Sequence, residues 1–365
     1  MPRDFGIEEE FVLLDPQTLT AVDRAPEAIA ALRDEVRGVV GKEFFPSQVE
    51  FASPVFTTAD EALDAVHDFR RRLAGWADAA GLVVAASGTP FRTRALADIS
   101  PDDRYAHIAG DIAGVTPDHQ INGMHVHVSI PDRESGVRAS NVLRSWLPTL
   151  LAMASNSPFW HGVDTGFDSW RAIHSRRWTT YGVPPRFADA ADHDATMQAL
   201  RGIGATSDPG TINWNIRLSA RYPTVEVRVF DTSLDPRSSV ALAVVTRALV
   251  ASSEREEPAR PEIDITDAAL WHAARYGVRQ TLVDPQTDRL MPARDVLDVL
   301  VGVVWPHLRD DVERELVTDL RDRLVREGSG AQRQRAAHAA GTDALIGLYR
   351  RLLDDPVRPL PQPLP

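Results

Sequence analysis

The chain has 365 residues, no cysteine and a formal net charge of −12. Disulfides and thiol nucleophiles are thereby excluded, and the acidic balance argues against a nucleic-acid binder, which needs a basic face. Lys42 is the only lysine and is followed by Glu43, so the G-K-[S/T] ending of a Walker phosphate loop is absent too.

In chain order, apolar alternation and turn signals predict strands near 5–14, 43–51, 82–87, 121–130, 212–219 and 224–231. Helical periodicity falls near 26–37, 59–80, 137–155, 189–201, 236–253, 266–276, 293–304, 307–326, 331–339 and 342–353. Strands and helices do not alternate one for one. The expected class is therefore α+β, a largely antiparallel sheet with helices on one side and a wholly helical last third. Residues 1–355 read as a single domain and 356–365 as a proline-rich tail, the stretch DDPVRPLPQPLP forming an extended arm. The opening MPRDFGIEEE lacks the apolar core of a signal peptide, and no run approaches the ~18 apolar residues of a membrane span. A soluble cytoplasmic protein with no membrane partner is the expectation. GIGATS at 202–207 lacks the third glycine of a dinucleotide fingerprint and follows a helical pattern, so it reads as a loop.

The strands carry the chemical signal. In GIEEEF, period two puts Glu8 and Glu10 on one face and Glu9 on the other with Ile7 and Phe11, at an edge or paired with an arginine. In FPSQVEFAS, Gln48 and Glu50 share a face opposite Val49 and Phe51. His125 and His127 share one with Gly123 and Ser129 in INGMHVHVSI, while Met124, Val126 and Val128 face away. Asn213, Asn215 and Arg217 line up in TINWNIRLS, and Thr224, Glu226 and Arg228 in TVEVRVFD. Each strand thus has one apolar face suited to helices and one face of Glu, His, Asn and Arg. Ordinary exposed sheet faces favour Thr, Ser, Lys and mixed charge. If the strands lie side by side, the second face is a polar cavity.

Glu8, Glu10, Glu50 and Glu226 would then place four negative charges in one site, where some must take up protons unless cations compensate. Oxygen ligands with an imidazole suit Mg²⁺ or Mn²⁺ better than zinc. Arg217 and Arg228 are permanently cationic and cannot be ligands. Beside metal-binding carboxylates they imply a bound anion, and a phosphate bridged by metal and gripped by arginine fits.

These motifs resemble a known family. GIEEEF is similar to the G-I-E-x-E opening of glutamate–cysteine ligases, and SQVEFAS to their second acidic strand. NGMHVHVS resembles the Gly-Met-His-x-His strand of glutamine synthetase, and TVEVRVFD the E-x-R strand both share. WHGVDTGFDSWR at 160–171 and RYG at 275–277 resemble the carboxylate–amine ligase family related to glutamate–cysteine ligase. The ordered set runs from about residue 5 to 340. The resemblance implies a curved, funnel-like sheet ringed by helices and an ATP-dependent reaction, in which a carboxylate becomes an acyl phosphate and an amine displaces phosphate to give an amide. It implies metal ligation by Glu8, Glu10, Glu50, His125 and Glu226. His127 and Arg228 are implied near the ATP phosphates, with Glu226, Arg228 and Arg217 at the reacting centre. Arg171 and Arg217 are implied to hold the acid substrate's carboxylates or the phosphate. Glutamate is the implied acid, the amine is left open, and a homodimer or larger homo-oligomer is implied.

For the base that deprotonates the amine, Asp164 is one candidate among several. Ser329 with Gln332 reads as a capped helix start. Arg333 and Arg335 on that helix read as surface residues rather than residues of the funnel mouth. ARYG at 274–277 reads as a helix end at Gly277. Rival readings are a metal-dependent amide hydrolase on the same scaffold, another ATP-using phosphotransferase, and a non-catalytic nucleotide or metal binder.

Overall fold

A computed structural model describes residues 3–94, 97–206, 209–254 and 263–353. The chain opens with β1 (Phe5–Leu14) and α1 (Ala25–Leu32), the latter with Pro26 in its first turn. β2 (Val39–Lys42) pairs with β3 (Gln48–Ala52). α2 (Ala59–Ala79) starts at a reciprocal cap between Thr58 and Glu61 and leads to β4 (Val83–Ala85). α3 (Asp103–Ile112) precedes β5 (Gly123–Ser129), and α4 (Arg133–Ala154) follows from an Asp132 cap. The short β6 (Phe159–Trp160) and β7 (Val163–Asp164) come next, then α5 (Trp170–His174) and α6 (Ala190–Gly202). β8 (Ile216–Leu218) and β9 (Thr224–Asp231) complete the main sheet. α7 (Pro236–Ser252), α8 (Ile263–Tyr276), β10 (Thr281–Asp284), β11 (Arg289–Pro292), α9 (Ala293–Val304), α10 (Asp311–Glu327), α11 (Gly330–Ala339) and α12 (Thr342–Leu353) finish the described chain.

The main sheet runs β2-β3-β1-β5-β9-β8, with β4 also on β1, and every pairing is antiparallel. The α+β expectation therefore holds. Ile7, Phe11, Phe51, Met124, Val126 and Val227 enter one continuous apolar core with side chains of α2, α4 and α7. Side chains at alternate positions point the other way, onto the face that carries the cavity described below.

Glu9 shows how strict the alternation is. Its carboxylate is fully buried on the helix side, where Arg70 of α2 donates from Nε at 3.0 Å and Ser239 of α7 also donates. Arg70 is itself fully buried and lies over the Phe11 ring at 5.1 Å. The middle glutamate of the triplet thus anchors the central strand to two helices.

Several local expectations differ from the structure. The 43–51 strand is shorter: residues 43–47 form a loop, and the edge strand β2 precedes it where no strand was expected. The last third is not wholly helical, because Thr281–Asp284 and Arg289–Pro292 form a hairpin across a polar turn. Helices are not confined to one side, since the short α3, α5 and α6 contribute residues to the opposite, cavity-bearing face. α8 ends at Tyr276, as the sequence suggests. Gly277 follows at φ +55°, and a Cβ there would sit 2.1 Å from Asp168 Oδ2. The Ser329–Gln332 capping box is present. Gly202 ends α6, and Gly204 turns at φ +72°. The proline-rich tail lies outside the described residues.

Candidate active site

Strand register brings the polar side chains into adjacent places. Glu10 pairs with Glu50 across β1 and β3, and Glu8 with His125 across β1 and β5. His127 pairs with Glu226 across β5 and β9, and Glu226 with Arg217 across β9 and β8. A shift between Met124 and Val126 sets His125 against the Arg228–Val229 step of β9, a bulge of the kind that re-aims side chains. These groups line a cavity of about 770 Å³, large enough for a nucleotide and a small substrate.

Two acidic groups stand out within it. In the first, ligand atoms of Glu8, His127 and Glu226 lie within 4.8 Å of one another. Glu8 Oε2 is 3.1 Å from His125 Nδ1, and its Oε1 is 3.4 Å from His127 Nε2. Arg217 grips Glu226 from both sides of its fork, Nε to Oε2 at 2.6 Å and Nη2 to Oε1 at 3.1 Å. Arg228 also donates to Glu226 Oε1. Burial alone would raise the Glu226 carboxyl, but Arg228 and Arg217 outweigh it and hold the group well below the usual range. Burial likewise opposes ionisation of Glu8, and hydrogen bonds from His125 and His127 override it. Burial, then the charge of Arg228, pushes His125 down to about 4, so its ring is neutral at pH 7.

In the second group, carboxylate oxygens of Glu10, Glu43 and Glu50 lie within 4.8 Å of one another. Burial and the charge of Glu43 push Glu10 up to about 8, against Arg171 and a 2.6 Å hydrogen bond from the Gly123 N–H. Glu43 is raised chiefly by burial, and Glu50 is raised further by burial and by Glu43, Glu8 and Glu10. Three carboxyls, one buried and two half-buried, with raised affinity for protons form an oxygen donor set whose repulsion a divalent cation would relieve. The first group, with carboxylates and imidazole, also fits such an ion.

The model of glutamate–cysteine ligase family 2 matches residues 4–350. The chain belongs to this family. A relative from Rhodococcus jostii RHA1 that provisionally carries the name glutamate–cysteine ligase 2-1 is 38% identical over 338 residues, 91% of this chain and 90% of that protein. One from Rhodopirellula baltica, named in the same provisional way, is 34% identical over 343 residues, 90% of this chain and 92% of its own length. Among solved structures, the glutamate–cysteine ligase of Francisella tularensis in complex with AMP superposes with a TM-score of 0.73 at 11% identity, covering 98% of this chain and 90% of that one. A bifunctional glutathione synthetase of Pasteurella multocida gives 0.70 at 13% identity, over 96% of this chain and 52% of that one. At such identities the structures speak for the fold, and the family match gives the activity class: the chain is an ATP-dependent carboxylate–amine ligase.

Within this family frame, Glu8, Glu10, Glu50, His125, His127, Arg171, Arg217, Glu226 and Arg228 all line the one cavity. Arg217 is the most committed of them, giving both Nη1 hydrogens to the Gly210 and Ile212 carbonyls at 2.7 and 3.1 Å. Arg171 lies over the Gly123 backbone, where a Cβ would meet its Nη2 at 2.4 Å, so the absent side chain at 123 is the room this guanidinium occupies. Gln48 also borders the cavity, but it donates to Ile121 O and Asn122 Oδ1 and accepts from Phe45 N, a strand-locking role. Asp164 is displaced from this assembly. It sits exposed on β7, paired with Arg335 at 2.8 Å, and does not border the cavity. Arg333 pairs with Asp235 at 3.3 Å, and Arg335 also reaches Asp168, so neither faces the cavity mouth.

Glu43 was not among the expected site residues. Reading 43–51 as one strand gives it the parity of Val49 and Phe51, whereas the 43–47 loop turns it back beside Glu10 and Glu50. No helix among the described residues is long and apolar enough to cross a membrane.

Proposed function

We propose that the cavity activates the carboxylate of an amino-acid substrate, glutamate by family, as an acyl phosphate and then transfers the acyl group to an amine. The observation that supports this reading is the meeting of two separate acidic groups and three arginines on one wall of a single cavity. Carboxylate clusters alone are common. With guanidinium groups beside them, they match the needs of a metal-bound triphosphate.

Glu8, Glu226 and the imidazoles of His127 and His125 would hold one divalent cation, and Glu10, Glu43 and Glu50 another. Bound there, Mg²⁺ or Mn²⁺ would supply positive charge that offsets the charge of the triphosphate. Arg217 fixes the Glu226 carboxylate in place through its two-pronged contact. Arg228, anchored on the same carboxylate, supplies positive charge to the phosphoryl group in flight. Arg171 faces the acid substrate from the other end of β5. A substrate carboxylate oxygen attacks the γ-phosphorus, the bond to the β–γ bridging oxygen breaks and ADP leaves. The amine nitrogen then attacks the acyl carbon, the carbon–oxygen bond to phosphate breaks, and the nitrogen's proton leaves with the phosphate.

The test is a panel of amino acids and amines with ATP and Mg²⁺, read by ADP release and product mass. Hydroxylamine in place of the amine should trap the acyl phosphate as a hydroxamate. Amide cleavage with metal and no nucleotide, or ADP formation independent of any acid, would overturn the reading.

A further inference from the structure

A second feature of the cavity wall lies apart from the acidic groups. The Trp178 indole Nε1–H donates to His119 Nε2 at 2.6 Å, the rings meeting edge to face at 5.1 Å and 74°. An indole nitrogen only donates. His119 Nε2 is therefore the lone-pair nitrogen, and in the neutral ring the proton sits on Nδ1. The ring is neutral at pH 7, because burial and then the neighbouring His174, Arg177 and Arg171 hold it well below its ordinary value. His119 is 6% exposed, borders the cavity, and its Nδ1 has no hydrogen-bond partner among the described residues.

Three neighbours on the wall share that condition. Arg171 Nε has no partner among the described residues. The Tyr181 hydroxyl and the Asn215 amide face each other beside Arg171, close enough for a polar interaction that favours the ionised phenol against burial, but without a well-formed hydrogen bond. Buried polar atoms are nearly always paired. Four side chains, each with an unmet polar atom on one cavity wall, describe a seat whose partners arrive with a ligand. Its donors are the Arg171 guanidinium, the His119 N–H and the Asn215 Nδ2. Its acceptors are the Asn215 Oδ1 and the Tyr181 oxygen. Clustered donors beside acceptors match a carboxylate next to an ammonium, the headgroup of an α-amino acid.

We propose that Trp178 locks His119 in the Nδ1–H tautomer, and that this N–H, beside Arg171, is a specificity-determining donor to the α-carboxylate of the acid substrate. The inference rests on the ligase reading above and adds a discriminating element to it. An acid lacking the α-carboxylate leaves the buried His119 Nδ1–H and the Arg171 Nε–H without partners, and is rejected for that reason.

The full chain labelled with ¹⁵N-histidine tests the lock directly. Long-range ¹H–¹⁵N spectra, with His119 assigned by its loss in His119→Asn, should show the proton on Nδ1 in the wild type and a tautomer mixture in Trp178→Phe. Calorimetric titration of L-glutamate and of 4-aminobutyrate, which has no α-carboxylate, tests the specificity. His119→Gln and Trp178→Phe should each lose about tenfold in affinity for L-glutamate, the scale of one lost hydrogen bond to a charged group, with 4-aminobutyrate unchanged. His119→Asn places an amide N–H near the Nδ1 position and should keep most of the affinity. Affinity for Mg²⁺–ATP should be unchanged in all three. A proton on Nε2 in the wild type overturns the proposal, as does undiminished L-glutamate affinity in folded His119→Gln. If the wild type binds Mg²⁺–ATP but not L-glutamate, this inference falls and the ligase reading stands. If Mg²⁺–ATP is not bound, the ligase reading falls with it.

Discussion

The two acidic groups of the cavity hold the same functional group under opposite electrostatics. Around Glu8 and Glu226, guanidinium and imidazole partners overcome burial and keep the carboxyls ionised. Around Glu10, Glu43 and Glu50, burial and mutual repulsion dominate and the carboxyls favour their protons. The first group is already partly compensated by Arg217, Arg228 and the imidazoles, so a cation held there would share its carboxylates with those partners. The second group has less internal compensation and gains more from a cation. The degree of compensation, rather than the charge alone, separates the two sites.

The comparison breaks most severely at Glu226, the carboxylate that both arginines share. Glu226→Gln leaves two half-buried guanidinium groups side by side without their anion. ADP release should fall on the order of 10³-fold, the scale of losing an electrostatic element at a phosphoryl-transfer centre. A variant within tenfold of wild type would mean that Glu226 frames nothing essential.

Glu9, one residue from both groups, sharpens the contrast from outside the cavity. Its pair with Arg70 is wholly buried. Glu9→Gln strands the Arg70 charge in the core and should destabilise the fold by about 3–5 kcal/mol. Turnover at low temperature should stay near wild type. Period-two parity sets Glu9 away from the cavity, and the buried pair makes its loss mild for chemistry and severe for stability. Thermal unfolding alongside kinetics decides: loss of turnover in folded protein would contradict the separation of faces.

The second group gives a pH signature. Glu10 titrates near 8 in the fold and near 4.5 when unfolded, so between those values the native state holds a proton that the unfolded chain lacks. Stability of the metal-free protein then falls as pH rises. Below about 6.5 the buried histidines act in the opposite direction: His125, lowered to about 4, binds its proton only in the unfolded chain. The window from pH 6.5 to 8 is therefore the one to measure, with a loss of about 2 kcal/mol from Glu10 alone. Mg²⁺ should reverse the loss, and Glu10→Gln should shrink it, leaving the share of Glu43 and Glu50. Stability that is flat or rising across this window without metal would show that the second group is compensated after all.

How much of this was legible depends on where the chain stays regular. Glu8, Glu10, Glu50, His125, His127, Arg217, Glu226 and Arg228 lie on strands whose apolar alternation fixes their parity, and the antiparallel register then brings them together. Glu43 was lost because a loop replaces the expected strand and reverses its direction. Asp231 was lost to the β9 bulge. Strict alternation groups it with Val225, Val227 and Val229, but both Val229 and Phe230 enter the core, and Asp231 instead lies beneath Arg171, accepting from Ser157 and Ser169 at 2.6 and 2.9 Å. His119 and Tyr181 lie in irregular segments with no period to read, and their roles follow from unpaired atoms that only a tertiary structure reveals.

The smallest expected effect is at Asp164. Its carboxylate is half exposed, held by Arg335 through two contacts at 2.8 and 3.0 Å, and by the Gly166 N–H. Arg335 keeps a second and more buried partner, Asp168, which Gln332 and Arg279 also engage. Asp164→Asn therefore removes one screened ion pair from a network that retains its core, an effect of about 0–1 kcal/mol. Turnover should change by less than twofold at any pH. A drop of a hundredfold or more, with an altered pH–rate profile, would instead make this carboxylate the base for the amine. That result would require the β6–β7 hairpin to move into the cavity during turnover.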